Sequence, residues 1–359
     1  MVTPSCAPVR LTPVVSSALA LLALATGGPA LASTVWYVGD GPSGRPMTLE
    51  LAVEPDGSAA GRAFDTPPRE GQPTGLELRF RGAASGGDDL RVAANVHDAR
   101  GPTGARLSIR ADLDRTASPG EPRPSALGSA TLTFVPAGGV EPAWTATLQA
   151  VGTRLSAKIA LDDTTVEVVA ATPFFYAQPW RGLRIGPSLD ALAESAAAGL
   201  TQRAQRPTGA TSTWWDERTV HLASLGPDIV SARTRVSDYT GGAHPDLRFA
   251  FATWIRDGDG WRGVDLCGAL AALDRRCDPG ALRAHVIRAL RAQDAAWAVD
   301  GELDATTPWL LDPFTIGPSG VRLDYAPYAV GPYAQGPFAV EIPFDRLHEL
   351  SRGRGASDP

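Results

Sequence analysis

Met47-Thr48-Leu49-Glu50-Leu51-Ala52-Val53-Glu54-Pro55-Asp56-Gly57-Ser58-Ala59-Ala60-Gly61-Arg62-Ala63-Phe64 sets Leu49, Leu51 and Val53 on one side of an extended chain and reverses direction at Pro55-Asp56-Gly57. Apolar side chains at every second position bury one face of a strand. Proline fixes φ and glycine accepts φ > 0, which a tight reversal needs. The same unit recurs on both sides. Candidate strands at Thr34–Val38, Met47–Val53, Gly57–Phe64, Leu76–Arg81, Leu90–His97, Arg106–Ala111, Ala130–Phe134 and Trp144–Ala150 alternate with Gly/Pro/Asp turns, and no segment between them has a helical period. Residues 33–150 are expected to form an all-β sandwich or small barrel of about eight strands.

Beyond Val151 the periodicity changes. Arg154–Leu161 and Val166–Phe175 read as strands, and Pro187–Arg206 sets Leu189, Leu192, Ala196 and Leu200 on one helical stripe with Ser188 as its cap. A meander follows over Thr219–Ala223, Asp228–Tyr239, Asp246–Ile255 and Trp261–Leu266. A second helix from Pro279 to about Trp297 carries Leu282, Val286, Ala289, Leu290 and Trp297 on one face, interrupted only by Gln293. Strands near Trp309–Ile316, Gly320–Tyr325 and Ala339–Pro343 close the chain. Strands and helices come in blocks, not as regular βαβ units, so residues 151–350 are expected to be an α+β domain with an antiparallel sheet and two main helices, ahead of a flexible tail at 351–359.

The 359 residues suffice for two domains, and 43% hydrophobic residues suffice for their cores. A net charge of −6, with no run of five basic residues, argues against nucleic acid as a partner. Only Lys158 among 33 basic residues is a lysine, which leaves little for a P-loop or a Ser-Lys dyad. Arg10, the apolar Val14–Ala25 and Ala30-Leu31-Ala32 read as a secretory signal peptide over residues 1–32. No segment after it is apolar enough to span a membrane. Its removal takes Cys6 away and leaves Cys267 and Cys277, an even pair in an oxidising compartment, where a disulfide is expected over two unpaired thiols.

Two loops of the second half stand above background. Tyr239-Thr240-Gly241-Gly242-Ala243-His244-Pro245 joins two long strands where two residues would suffice. Its glycines allow left-handed angles and can aim successive N–H groups at one acceptor, and Pro245 keeps His244 extended. The pentads Pro327-Tyr328-Ala329-Val330-Gly331, Pro332-Tyr333-Ala334-Gln335-Gly336 and Pro337-Phe338-Ala339-Val340-Glu341 follow Tyr325 closely. Tyrosine offers large contact area with few rotors, as a recognition surface requires, although the same rings can pack inward.

Other constellations read more simply. Asp257-Gly258-Asp259-Gly260 starts like a calcium loop, but Trp261 and Gly268 stand where ligands are needed, so a hairpin turn is expected. The five histidines are scattered with no i,i+4 pair, so neither a metal site nor any cofactor is expected. Trp214-Trp215 could stack on a sugar or lie in the core.

The glycine loop, the hairpin through Trp261-Arg262-Gly263-Val264-Asp265-Leu266, the helix from Pro279, and Gly320-Val321-Arg322-Leu323-Asp324-Tyr325 running on through the pentads to Glu341-Ile342-Pro343-Phe344 resemble the extracytoplasmic domain of the RsiV anti-sigma factors. Residues from about 152 to 238 are similar to the domain that RsiV shares with the accessory part of the peptidoglycan deacetylase PdaC. The β half is similar to a module often found ahead of this domain, which implies no activity. In RsiV the outer domain binds lysozyme, so the resemblance implies a lysozyme-like protein ligand. Control of a sigma factor does not transfer, because the sequence carries no sigma-binding segment. Deacetylation lacks the H-x-x-x-H histidines and paired aspartates of PdaC.

The expectation is a non-catalytic, secreted, periplasmic envelope protein recognising lysozyme, another envelope protein or a cell-wall glycan. By position in the motifs the binding residues are Thr240, Gly241, Gly242, His244, Tyr325, Pro327, Tyr328, Pro332 and Tyr333. The alternative is a cell-wall hydrolase or other peptidoglycan-active enzyme using His244, with Asp238 or Asp246 to orient it and Ser237 or Thr240 to supply a hydroxyl.

Overall fold

The structure, a computed structural model, describes residues 33–54, 56–85, 89–98, 101–112, 128–139, 142–160, 167–175, 177–181, 183, 185, 215–239 and 243–352. The expected leader, the helix expected at Pro187–Arg206, Trp214, Thr240, Gly241, Gly242 and the tail from residue 353 lie outside the described residues.

Eight strands open the fold: β1 (Ser33–Asp40), β2 (Pro46–Val53), β3 (Ser58–Asp65), β4 (Glu77–Ser85), β5 (Asp89–Asp98), β6 (Gly101–Asp112), β7 (Ser129–Val135) and β8 (Trp144–Ala160). Each pairs antiparallel with its neighbour in sequence, and β1 also pairs antiparallel with β8, so the sheet closes into a barrel. Closure removes the exposed edges that an open sheet would present. The inward positions are filled by side chains such as Leu49, Leu51, Phe80, Ile109, Leu132 and Leu148. At Gly61 the ring of Phe80 and the Glu50 carbonyl already occupy the space of a Cβ, so only glycine fits. The turn between β2 and β3 forms as the sequence requires, with Gly57 at φ 81° and Ser58 N–H on the Asp56 carboxylate at 2.8 Å.

β8 does not stop at the expected boundary of 150. Its register against β1 slips between Trp36↔Gly152 and Tyr37↔Ala150, leaving Val151 as an extra residue. Such a bulge turns the side chain to the other face. Val151 accordingly leaves the barrel interior for a second core with Trp36, Phe175, Trp180, Leu222 and Val230. The two runs expected on either side of Gly152 are one strand of 17 residues. Its outer half pairs with β9 (Glu167–Phe175), which runs parallel to β10 (Trp215–Leu225). β11 (Ile229–Tyr239), β12 (Asp246–Asp257) and β13 (Gly260–Gly263) continue antiparallel. A smaller sheet holds β14 (Phe314–Ile316), β15 (Gly320–Tyr325) and β16 (Phe338–Pro343).

Four helices occur among the described residues: α1 (Leu266–Ala272), α2 (Pro279–Arg291), α3 (Ala296–Val299) and α4 (Phe344–Ser351). α2 starts where expected, with Pro279 in its first turn and the Asp278 carboxylate accepting from Ala281 N–H at 3.0 Å. It stops six residues before Trp297. Asp294 takes φ 58°, which ends the helix before α3 begins. Likewise the strand expected from Trp309 begins only at Phe314, because Pro308–Leu311 forms a 3-10 turn.

The expected disulfide joins Cys267 of α1 to Cys277, with Cα atoms 5.3 Å apart. It brackets a loop that grips the barrel: Leu273 O accepts from Glu70 N–H at 3.0 Å, Asp274 pairs with Arg69 at 2.8 Å, and Arg275 donates to Pro68 O at 3.1 Å. Thr48 of the barrel also donates to Leu225 O at 3.0 Å, and Trp180 Nε1 to Gly226 O at 2.8 Å.

Candidate functional site

The site is built from two loops of distant sequence. β11 ends at Tyr239 and β12 begins at Asp246, so the connecting loop emerges at one end of the large sheet. The pentad loop runs from β15 to β16 in the smaller sheet. They meet through His244 and Tyr333, whose rings stack with centroids 3.5 Å apart and planes 15° from parallel. The Tyr333 hydroxyl donates to Pro245 O at 2.8 Å. Tyr328 closes the cluster, 5.6 Å from Tyr333 and 6.3 Å from His244 by ring centroids.

The first two pentads, alike in sequence, turn differently. Ala329 N–H donates to Ala326 O at 3.0 Å, with Pro327 second in the turn and Tyr328 third at φ 67°. That pattern is a type II turn, whose third position normally takes glycine. The strain is held from below: Val330 is buried and its carbonyl accepts from Trp297 N–H at 3.2 Å. In the second pentad Tyr333–Gln335 forms a 3-10 turn after Pro332. Gln335 fastens it to the α2–α3 junction, donating to Asp294 O at 2.8 Å and accepting from Ala296 N–H at 3.1 Å. Tyr328 is left 55% exposed on top of this support.

Of the expected binding residues the structure brings together His244, Pro327, Tyr328, Pro332 and Tyr333. Tyr325 departs from that set. It is 1% exposed, its hydroxyl donates to Leu310 O at 2.7 Å, and burial raises its phenol pKa. Its ring therefore serves the core. His244 is exposed, with Nδ1 3.1 Å from Pro245 O. A carbonyl only accepts, so the proton sits on Nδ1. The carboxylates expected to orient a catalytic His244 are engaged elsewhere: Asp238 pairs with Arg248 at 2.6 Å and Asp246 with Arg248 at 3.0 Å. The hydrogen bond that Arg248 donates to the Asp238 carboxylate raises the Arg248 pKa, as expected of a guanidinium held by a carboxylate. Asp257-Gly258-Asp259-Gly260 is the turn between β12 and β13. Among the described residues no group of three His, Cys, Asp or Glu could hold a metal ion, and no helix is long and apolar enough to cross a membrane.

Sequence reasoning missed the cleft beside the cluster. An open cleft of about 410 Å³ lies between β12 and the β14–β15 side, lined by Phe249, Phe251, Trp309, Asp312, Tyr325 and Ala329 among others. Phe249 and Phe251 meet edge to face at 6.2 Å, and Trp309 is 37% exposed. The signal was present in the alternation Leu247, Phe249, Phe251. It reads as a buried strand face until the structure leaves those rings half exposed.

Residues 280–345 match the family described as Protein of unknown function (DUF3298). This DUF3298 segment runs from α2 into α4 and contains all three pentads, whereas His244 and β12 precede it. Two solved structures are similar to parts of this chain. A DUF3298 family member from Bacteroides fragilis shares 15% identity, with a TM-score of 0.35 over 58% of this chain and 96% of its own. One from Pseudomonas aeruginosa PAO1 shares 21% identity, with a TM-score of 0.32 over 54% of this chain and 90% of its own. No curated protein matches the sequence.

Proposed function

We propose that the chain is a non-catalytic binding protein of the cell envelope, secreted to the periplasm, that recognises a basic, lysozyme-like protein through His244, Tyr328 and Tyr333. The observation that carries this reading is the lock between the loops, in which Tyr333 stacks on His244 and bonds Pro245 O while Tyr328 stays exposed. A surface ordered before its partner arrives loses little freedom on binding, and aromatic anchors dominate protein interfaces. The resemblance to RsiV, whose outer domain binds lysozyme, points the same way. A net charge of −6 favours encounter with a basic partner. The hydrolase alternative has less support, because Arg248 engages both acids that would orient His244.

The test is capture of purified lysozyme, and separately of solubilised peptidoglycan strands, by the parent and by the Tyr328→Ala, Tyr333→Ala double variant. The variant should bind lysozyme about tenfold or more weakly with a nearly unchanged thermal midpoint. Unchanged capture overturns the reading. So does a large loss of stability, which would make the rings structural, or capture of glycan alone, which would make the ligand a sugar polymer.

A further inference from the structure

Among the described residues β12 has an uncovered edge, and its direction can be worked out from two hydrogen bonds. Val264 N–H donates to Thr253 O at 3.0 Å, so Thr253 turns its backbone groups toward the β13 side. Arg256 N–H donates to Asp228 O at 2.8 Å, so Arg256 faces the β11 side. Backbone groups alternate along a strand. Leu247, Phe249 and Phe251 therefore share the side of Thr253, and Arg248, Ala250 and Ala252 bond into β11. β13 covers β12 only over Trp254–Asp257. Among the described residues the N–H and C=O groups of Leu247, Phe249 and Phe251 have no ladder partner.

The cleft borders the same segment. Phe249, Ala250 and Phe251 all line it, although successive side chains point to opposite faces of a strand. Phe249 and Phe251 share the face on which Arg233, opposite Phe251, pairs with Asp324 of β15, and Ala250 between them also borders the cleft. Its far wall is Trp309, Asp312, Ala326 and Ala329, and Ala329 follows Tyr328 directly. An open edge with apolar neighbours is a template for another strand, which natural proteins usually blunt with uncompensated charge or proline. Here the one basic residue of the segment, Arg248, is neutralised by Asp238 and Asp246. The Asp312 carboxylate in the wall has no ion pair among the described residues. It supplies a counter-charge for a basic side chain.

We infer that the Leu247–Phe251 edge of β12 docks an extended, basic segment of a partner protein, which adds as a further antiparallel or parallel strand inside the cleft. This rests on the binding reading above and names its mode. Main-chain bonds to Leu247, Phe249 and Phe251 give affinity, while alternate side chains meet Phe249, Phe251 and Asp312.

The probe is a capped seven-residue peptide of alternating arginine and valine, and the readout is amide hydrogen exchange residue by residue on the full chain. In the free protein the amides of Leu247, Phe249 and Phe251 should exchange fast and those of Arg248, Ala250 and Ala252 slowly. With saturating peptide the first set should slow by about tenfold or more. Leu247→Pro removes an outward N–H and leaves the β11 ladder whole, so it should cost about tenfold in peptide affinity, against about twofold or less for Leu247→Ala. Fast exchange at peptide saturation overturns the inference. So does protection already present in the dilute free protein, which would mean that this chain covers its own edge. Protection that grows with protein concentration alone would assign the edge to a second copy and overturn it too. If lysozyme capture needs Tyr328 and Tyr333 but is untouched by Leu247→Pro, strand addition fails and the platform stands. If the peptide protects the edge while the tyrosine variants capture lysozyme normally, the platform fails and strand addition stands.

Discussion

Tyr328 holds a left-handed backbone at φ 67° in a turn position that favours glycine. Non-glycine residues in that region cost on the order of 1 kcal/mol and persist where surrounding structure forces them. Buried Val330 beneath and Pro327 before it supply the force. Two substitutions separate strain from contact. Tyr328→Gly and Tyr328→Ala lose the same ring, but the glycine variant should be more stable by about 1 kcal/mol in denaturant titration. Equal stabilities would mean the turn relaxes. Tyr325 makes the opposite case in the same loop sequence. Tyr325→Phe leaves Leu310 O without its buried donor and should cost about 1 kcal/mol, with lysozyme capture unchanged. A binding loss without a stability loss would return Tyr325 to the recognition surface.

Among the elements, α2 carries a titratable group against the last helix. Burial first, then the nearby Arg346 and Arg288, hold the His285 pKa below its ordinary value of 6.5. The folded state therefore resists a proton that the unfolded chain accepts. Stability is full above about pH 6.5 and falls as pH drops through that value toward the folded pKa. The thermal midpoint should decline between about pH 7.5 and pH 5, and His285→Gln should shrink the decline. An undiminished decline in the variant would clear His285 of that role. At this scale the strands of the barrel were legible, because alternation such as Leu49/Leu51/Val53 is a local property. The continuity of β8 was not. Trp144–Ala150 and Arg154–Leu161 read as separate strands, yet the bulge at Val151 carries one strand through Gly152, and only the pairing with Trp36 and Tyr37 reveals that. The helix expected to reach Trp297 ends early because Asp294 goes left-handed, a departure that periodicity does not carry. Of the site, the types and positions of His244, Tyr328 and Tyr333 were legible. The stack itself joins residues nearly ninety positions apart, which no local signal encodes.

For the whole molecule, the barrel and the α+β part share β8, a common core around Trp36 and Phe175, and the grip of the disulfide-bracketed loop on Pro68–Glu70. Elements coupled by one continuous strand and a common core should unfold together. Calorimetry should give one transition for the parent. Replacing both Cys267 and Cys277 by Ser should lower stability by about 2–3 kcal/mol, as loop closure predicts, and still leave one transition. Two separated transitions in the parent would show that the shared core couples the halves weakly. The closed barrel turns a filled hydrophobic interior to its own core, whereas the exposed aromatic rings and the open strand edge gather at the far end of the other sheet. The proposed recognition is accordingly assigned to the α+β part, with the barrel as its support.

On the proposed reading a partner lands on the locked loops. Hydroxyl-radical footprinting of the intact chain with and without purified lysozyme addresses it directly, since Tyr328 is exposed and reactive when free. Strong protection of Tyr328 and His244 is expected in the complex, while the exposed Val135 of the barrel labels as before. Unchanged labelling of Tyr328 and His244 at saturating lysozyme would contradict it.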